Sequence, residues 1–207
     1  MTNNEKHMLN QIYIIDDAID KPLQDQIEQE LIGPNTIWYL QKDIALNVND
    51  SNVQKNIMGR TPGLNHVFFE SISGGIKSPL YHLILPVVLK AFAKIDFTPT
   101  MIWQARSFMH FPLADKLRKE YDNIHVDLSE AHLVCLYYVN DTDGDTFIFD
   151  KTFEEVPVLS DHSNVQWSVK QRISPKKGRC VLFDGRYYHS SSGPTSDMRC
   201  IINFDVA

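Results

Sequence analysis

The sequence predicts a mainly β protein with supporting helices (α+β): an antiparallel barrel or jelly roll braced by an N-terminal helical layer. Three observations carry this expectation. From Met101 onward the chain is a series of short runs rich in β-branched and aromatic residues, separated by turn-forming clusters. No helical periodicity interrupts those runs, which argues against a parallel α/β sheet. Helical patterns are confined to the first hundred residues.

Taken in order, Gln11 to Asp16 alternates like a short strand. Asp20-Lys21-Pro22 opens a helix, with Asp20 at the N-cap and proline in the first turn. Leu23, Ile27 and Leu31 share one face of it, and Gly33-Pro34 stops it. Ile37 to Leu40 reads as another strand. A second helical region lies between Pro79 and Ile95, where Pro86 is expected to kink the helix or restart it. The β texture then comprises Met101 to Phe111, Leu133 to Val139, Phe147 to Phe149, Gln166 to Ile173, Arg179 to Phe183 and Met198 to Val206. Asp143-Gly144, between two such runs, reads as a hairpin turn because the backbone there needs positive φ.

No repeat, low-complexity tract or linker divides the 207 residues, so one domain over residues 1–207 is expected. Residues 1–100 or so form the support and 101–207 the barrel core. The hydrophobic share of 43% is that of a globular protein. A net charge of −6 lacks the basic excess that broad nucleic-acid binding needs. Cys135, Cys180 and Cys200 are odd in number and show no CxxC spacing, so buried reduced thiols are expected rather than disulfides or a zinc knuckle. Met1 to Asn10 is polar, which predicts no signal peptide. No run approaches the ~18 apolar residues of a membrane span. Cytoplasm is the default compartment.

The chemistry centres on His125-Val126-Asp127. On an extended segment residues i and i+2 face the same way, so an imidazole and a carboxylate emerge side by side. By itself the tripeptide equally describes a surface histidine beside a solvated aspartate. His189, after a strand and the Asp184-Gly185 turn, is the leading third ligand. Two histidines and a carboxylate on one face of an octahedral ion form the set used by non-haem iron(II), and they leave open positions for a bidentate co-substrate and dioxygen. Ten residues on, Arg199 sits in a run that is largely apolar on both faces, which aims it inside or near the barrel. A buried guanidinium requires an anion, and its fork suits a carboxylate. That anion is either an internal acid such as Asp205 or a dicarboxylate whose other end chelates the metal.

Here the sequence resembles the iron(II)/2-oxoglutarate-dependent dioxygenases, in their prolyl-4-hydroxylase-like branch. The resemblance rests on an ordered set of motifs: HVD; a strand ending Tyr137-Tyr138-Val139-Asn140; Gly144-Asp145-Thr146; Pro175-x-x-Gly178-Arg179 before a strand ending in Phe183; the distal His189; and a basic residue ten positions later. It spans roughly Trp103 to Phe204. It implies a double-stranded β-helix (jelly-roll, cupin-like) with the N-terminal helices packed on one sheet. His125, Asp127 and His189 would bind Fe(II). Arg199 and Tyr138 would bind the 2-oxoglutarate co-substrate, with O2 as oxidant and ascorbate as an accessory. The implied reaction hydroxylates a C–H bond while 2-oxoglutarate becomes succinate and CO2, on a peptidyl residue or a small molecule. Family members often carry a tyrosine on the strand before H-x-D. Here that region reads Met109-His110-Phe111-Pro112, with Tyr121 nearer the motif, which sets this chain apart on peptidyl-proline specificity. With Asp127 present, hydroxylation is expected rather than halogenation, which in relatives needs a small residue there; demethylation stays open.

Other patterns carry less. Asn140 to Asp145 resembles a calcium loop but has Val139 at its first ligand position. Gly74-Gly75-Ile76-Lys77-Ser78 lacks the glycine that precedes the lysine of a phosphate loop and reads as a flexible loop or lid. His132 is a spare ligand candidate, His110 a pocket-lining one, and Arg106 and Arg186 flank the expected opening. The roles of Tyr121, His110, Arg106 and Arg186 are left unassigned. Rival readings are a cupin-type metalloprotein, a non-catalytic barrel module and, within the oxygenases, a nucleic-acid demethylase. The last ranks lower because no arginine follows Arg199.

Overall fold

The architecture comes from a computed structural model, which describes residues 11–42, 62–114, 119–158, 160 and 162–207. The polar stretch Met1 to Asn10, with His7, lies outside them. Two antiparallel sheets face one another. Thirteen elements build them: β1 (Tyr13–Ile15), α1 (Lys21–Ile32), β2 (Tyr39–Gln41), β3 (Gly63–Glu70), β4 (Gly75–Ile76), α2 (Tyr81–Ala93), β5 (Ile102–His110), β6 (Leu133–Tyr138), β7 (Thr146–Thr152), β8 (Val169–Ile173), β9 (Cys180–Asp184), β10 (Tyr187–Ser191) and β11 (Arg199–Val206). The major sheet runs β1-β9-β6-β11-β5-β3-β2, with β4 beside β3, and the minor sheet runs β10-β7-β8.

Alternation along β11 divides the interior. Cys200, Ile202, Phe204 and Val206 join Cys135, Tyr137, Cys180 and Leu182 in a core shared with Ile27 and Leu31 of α1 and Ile84, Val87, Val88 and Phe92 of α2. All three cysteines are free and buried there, as the sequence predicts. The opposite face turns Ile201, Phe108, Leu136, Tyr138, Val181 and Phe183 toward Ile148 and Ile173 of the minor sheet. Arg199, Asn203 and Asp205 share that second face by the period-2 rule, so three polar side chains sit inside the barrel.

Several details depart from expectation. Asp143-Gly144 is not a hairpin turn. β6 pairs with β9 and β11, whereas β7 pairs with β8 and β10, so the segment crosses between the sheets. Gly144 does have positive φ (98°), and the Asp143 carboxylate accepts from the Thr195 backbone N–H (2.8 Å) and hydroxyl. The first hundred residues contribute more strand than predicted, because Asn65 and His66 interrupt the apolar signal of β3. Pro86 does not restart the helix: α2 runs through it unbroken. Burial of Ile84, Val87, Val88, Ala91 and Phe92, at ~1.5–3 kcal/mol for a large side chain, outweighs a proline cost of ~3 kcal/mol. Gly74 and Gly75, expected in a flexible loop or lid, close the tight turn between β3 and β4 with φ of 98° and 90°. His189 lies within β10, one strand more than the sequence predicts in that region. Among the described residues no helix is long and apolar enough to cross a membrane.

Candidate metal and co-substrate site

The two sheets bring His125, Asp127 and His189 together. His125 makes an isolated antiparallel bridge with His189: its N–H donates to the His189 carbonyl at 3.0 Å, and the reverse bond is 2.9 Å. The segment is extended, as i, i+2 reasoning requires. Val126 points outward into a cluster with Phe147, Phe149 and Tyr188, leaving His125 and Asp127 to face inward. The His189 ring lies 5.3 Å from Phe183 and 4.6 Å from the His125 ring, centroid to centroid.

Each imidazole is oriented by its Nδ1. His125 Nδ1 donates to the Asn123 carbonyl at 3.0 Å and His189 Nδ1 to the Tyr187 carbonyl at 3.2 Å. A carbonyl can only accept, so each Nδ1 carries a proton and Nε2 is the ring atom left to face a ligand. One ligand atom from each of His125, Asp127 and His189 lies within 4.8 Å of the other two. His189 Nε2 approaches Asp127 Oδ2 at 3.3 Å. This donor set, two imidazoles and one carboxylate, fits a divalent transition metal.

Asp127 is itself held. Arg106 Nη2 contacts Oδ1 at 3.3 Å, and Asn203 Nδ2 donates to Oδ2 at 3.0 Å. Burial would raise the Asp127 pKa, but the hydrogen bond and charge of His189, then Arg106 and His125, outweigh it and hold the carboxyl well below its usual range. Burial, and then the neighbouring His189, push His125 down to about 4. Burial also disfavours charge on His189, yet its bond to Asp127 leaves that pKa raised. Arg106 spans two acids, reaching Asp205 Oδ2 at 3.6 Å. Asp205 is fully buried, accepts from Gln104 Nε2 at 2.6 Å and lies 3.5 Å from His132 Nε2. Burial, and then the charge of Asp127, push its pKa up to about 6.

Arg199 stands apart from this acid cluster, so the alternative of an Arg199–Asp205 pair does not hold. It is 2% exposed and donates through Nη2 to Thr146 Oγ1 at 2.9 Å. Tyr138 donates to the same oxygen at 2.7 Å, and the guanidinium carbon lies 5.6 Å from the Tyr138 ring centroid. Burial lowers the Arg199 pKa, while Tyr138 and the nearby Asp122 favour its charged form. Its Nε is buried with no hydrogen-bond partner. An orphaned N–H on a buried guanidinium is the feature a bound carboxylate would complete. The sequence-derived residues thus fall into two groups, one for a metal and one for an anion.

Gly144 closes against the second group. A Cβ there would lie 2.9 Å from the Ser192 carbonyl oxygen and 3.0 Å from Arg199 Cδ, at a φ of +98°. Gly144→Ala is therefore expected to displace Arg199 and to cost about 1–3 kcal/mol of stability, read as a lower midpoint in urea denaturation.

Remaining candidates resolve differently. Arg186 is engaged by Asp184 (2.6 Å) and Glu154 (3.1 Å). Tyr121 packs on Phe147 and Phe149, outside the barrel. His132 Nδ1 donates to the Glu130 carbonyl at 2.7 Å, and its ring lies against Gly185. Sequence reasoning assigns no role to Asn203, Thr146 or Gln104. A polar residue four positions from Arg199 in an otherwise apolar strand was the available signal for Asn203.

No protein-family model and no curated protein matches the sequence. Solved structures do match. A 2OG-Fe(II) oxygenase family oxidoreductase from Burkholderia pseudomallei superposes with a TM-score of 0.64 at 10% identity, covering 95% of this chain and 85% of that one. The non-haem α-ketoglutarate-dependent epimerase SnoN of nogalamycin biosynthesis gives 0.62 at 11% identity, covering 98% and 80%. A prolyl hydroxylase from Trichoplax adhaerens, in complex with a hypoxia-inducible-factor peptide, gives 0.56 at 14% identity, covering 98% and 90%. The chain therefore has the double-stranded β-helix fold of the 2-oxoglutarate–Fe(II) oxygenases.

Proposed function

We propose that this protein is an iron(II)- and 2-oxoglutarate-dependent dioxygenase that hydroxylates a C–H bond. The carrying observation is the pairing of two groups inside one barrel: three convergent metal donors, and a buried guanidinium with an unused N–H. Arg199 and Asn203, which touches Asp127, are four residues apart on β11, or ~13 Å at about 3.3 Å per residue. An extended arginine and a five-carbon dicarboxylate together bridge that gap.

In this reading His125, Asp127 and His189 hold Fe(II), while Arg199 receives the distal carboxylate of 2-oxoglutarate with Tyr138 and Thr146 alongside. The metal centre, with O2 and 2-oxoglutarate, supplies the oxidising power, and the co-substrate leaves as succinate and CO2. The chain supplies geometry. Backbone carbonyls of Asn123 and Tyr187 fix both imidazoles, and Arg106 and Asn203 fix the carboxylate. Phe108, Ile148, Val181 and Phe183 form an apolar wall that limits water near the reacting groups. Such placement matters because a shift of ~1 Å can cost on the order of a hundredfold in rate.

The substrate is proposed to be a small molecule or a peptidyl residue, the two kinds represented among proteins of this fold, and ascorbate is proposed only as an accessory. Three buried free thiols suit a reducing cytoplasm. The test is succinate formation from 2-oxoglutarate by the purified protein with Fe(II) under air, followed by a screen of peptides, amino acids and small molecules for those that stimulate it. Metal-dependent succinate formation is expected. Its absence, together with no binding of 2-oxoglutarate, would favour a cupin-type or non-catalytic barrel instead.

A further inference from the structure

His110 is a buried group that the assigned machinery leaves unused. It ends β5 directly opposite Arg199 in the β5–β11 register, so their side chains leave the same face of the sheet as cross-strand neighbours. Phe108, two residues earlier on β5, belongs to the barrel interior, which sets His110 on that side as well. The ring is 4% exposed, and its Nδ1 is buried with no hydrogen-bond partner. Two adjacent residues, His110 and Arg199, thus each present an orphaned polar nitrogen inside one barrel. Two such orphans on facing positions are more simply explained by one shared partner than by two separate defects.

We infer that His110 donates a hydrogen bond from Nδ1 to the distal carboxylate of the co-substrate, beside the Arg199 Nε–H. This rests on the oxygenase reading above and adds a binding residue to it. The chemistry is consistent. Burial, followed by the charges of Arg199 and His125, pushes the His110 pKa down to about 3, so the ring stays neutral and contributes one N–H without adding a second cation. A neutral donor beside a guanidinium can satisfy the second oxygen of a carboxylate without raising the repulsion around Arg199.

The test is calorimetric titration of 2-oxoglutarate, and separately of 2-oxopentanoate, into the Mn(II)-loaded protein without oxygen. 2-Oxopentanoate keeps the chelating keto-acid end and lacks the distal carboxylate. The wild type is expected to bind 2-oxoglutarate more tightly than 2-oxopentanoate. His110→Phe keeps the ring volume and is expected to weaken 2-oxoglutarate by roughly tenfold while leaving 2-oxopentanoate unchanged. His110→Gln restores a donor and should recover most of the loss. Should His110→Phe fold poorly, the Gln variant compared with His110→Leu carries the same contrast. Unchanged 2-oxoglutarate affinity in the variants, or equal weakening of both acids, would overturn the assignment to the distal carboxylate while leaving the oxygenase reading in place. A wild-type protein that binds Mn(II) but no 2-oxo acid would overturn both.

Discussion

Asp127→Ala is expected to abolish Fe(II)-dependent turnover of 2-oxoglutarate and to weaken divalent-metal binding by ~100-fold or more. Loss of a supporting partner alone typically costs ~10–100-fold in metal affinity, and loss of a ligand costs at least as much. The fold should survive the change. Asp127 is one of two acids sharing Arg106, and the other, Asp205, remains 3.6 Å from the same guanidinium and bonded to Gln104. The substitution also removes the like charge that, after burial, helps to raise the Asp205 pKa, so the surviving carboxylate faces Arg106 more readily charged. Metal titration followed by isothermal calorimetry or Co(II) absorbance checks the first expectation, and a thermal melt checks the second. A variant that kept wild-type metal affinity would remove Asp127 from the ligand set and with it the proposed chemistry.

The barrel, and the convergence of His125, Asp127 and His189 within it, were largely legible in the sequence. Two signals survive any tertiary context: the period-2 rule that sets His125 and Asp127 on one face with Val126 on the other, and the apolar run that carries Arg199 inward. Arg106 and His110 were candidates without a role, because what they do is set by cross-strand register. Arg106 meets Asp127 only because β5 pairs with β11 so that Arg106 faces Asn203. His110 meets Arg199 by the same register, and nothing local to the Met109–Phe111 stretch announces it. Asp143-Gly144 shows the converse. Its turn chemistry was sound and the positive φ is present, yet the next strand joins the other sheet, a choice made by the burial of Ile148 and Phe183 against each other's sheets and not by the turn. β3 was missed because Asn65 bonds to Gln41 and His66 to the Ile37 carbonyl; such polar side chains look like loop until their partners are known.

Arg199→Ala is expected to weaken 2-oxoglutarate binding to the metal-loaded protein by roughly two orders of magnitude while leaving thermal stability nearly unchanged. The two halves of this expectation have one cause. Two charge-assisted hydrogen bonds at about 1.5 kcal/mol each amount to ~3 kcal/mol, and 1.4 kcal/mol is a factor of ten in affinity. Within the protein's own contacts, however, the guanidinium is 2% exposed, donates to Thr146 and leaves Nε unused. A buried cation so incompletely paired carries a desolvation cost that offsets the packing its side chain contributes. An arginine retained for structure would behave in reverse, with a large fall in melting temperature and no selective effect on a dicarboxylate. Arg199→Lys sharpens the contrast, since it keeps the charge and loses the fork; it should bind 2-oxoglutarate between the wild type and the alanine variant. Binding of 2-oxopentanoate should be the same in all three proteins, because that acid has no distal carboxylate to lose. Affinity for 2-oxoglutarate that is unchanged in Arg199→Ala would sever the guanidinium from the co-substrate and return it to the core.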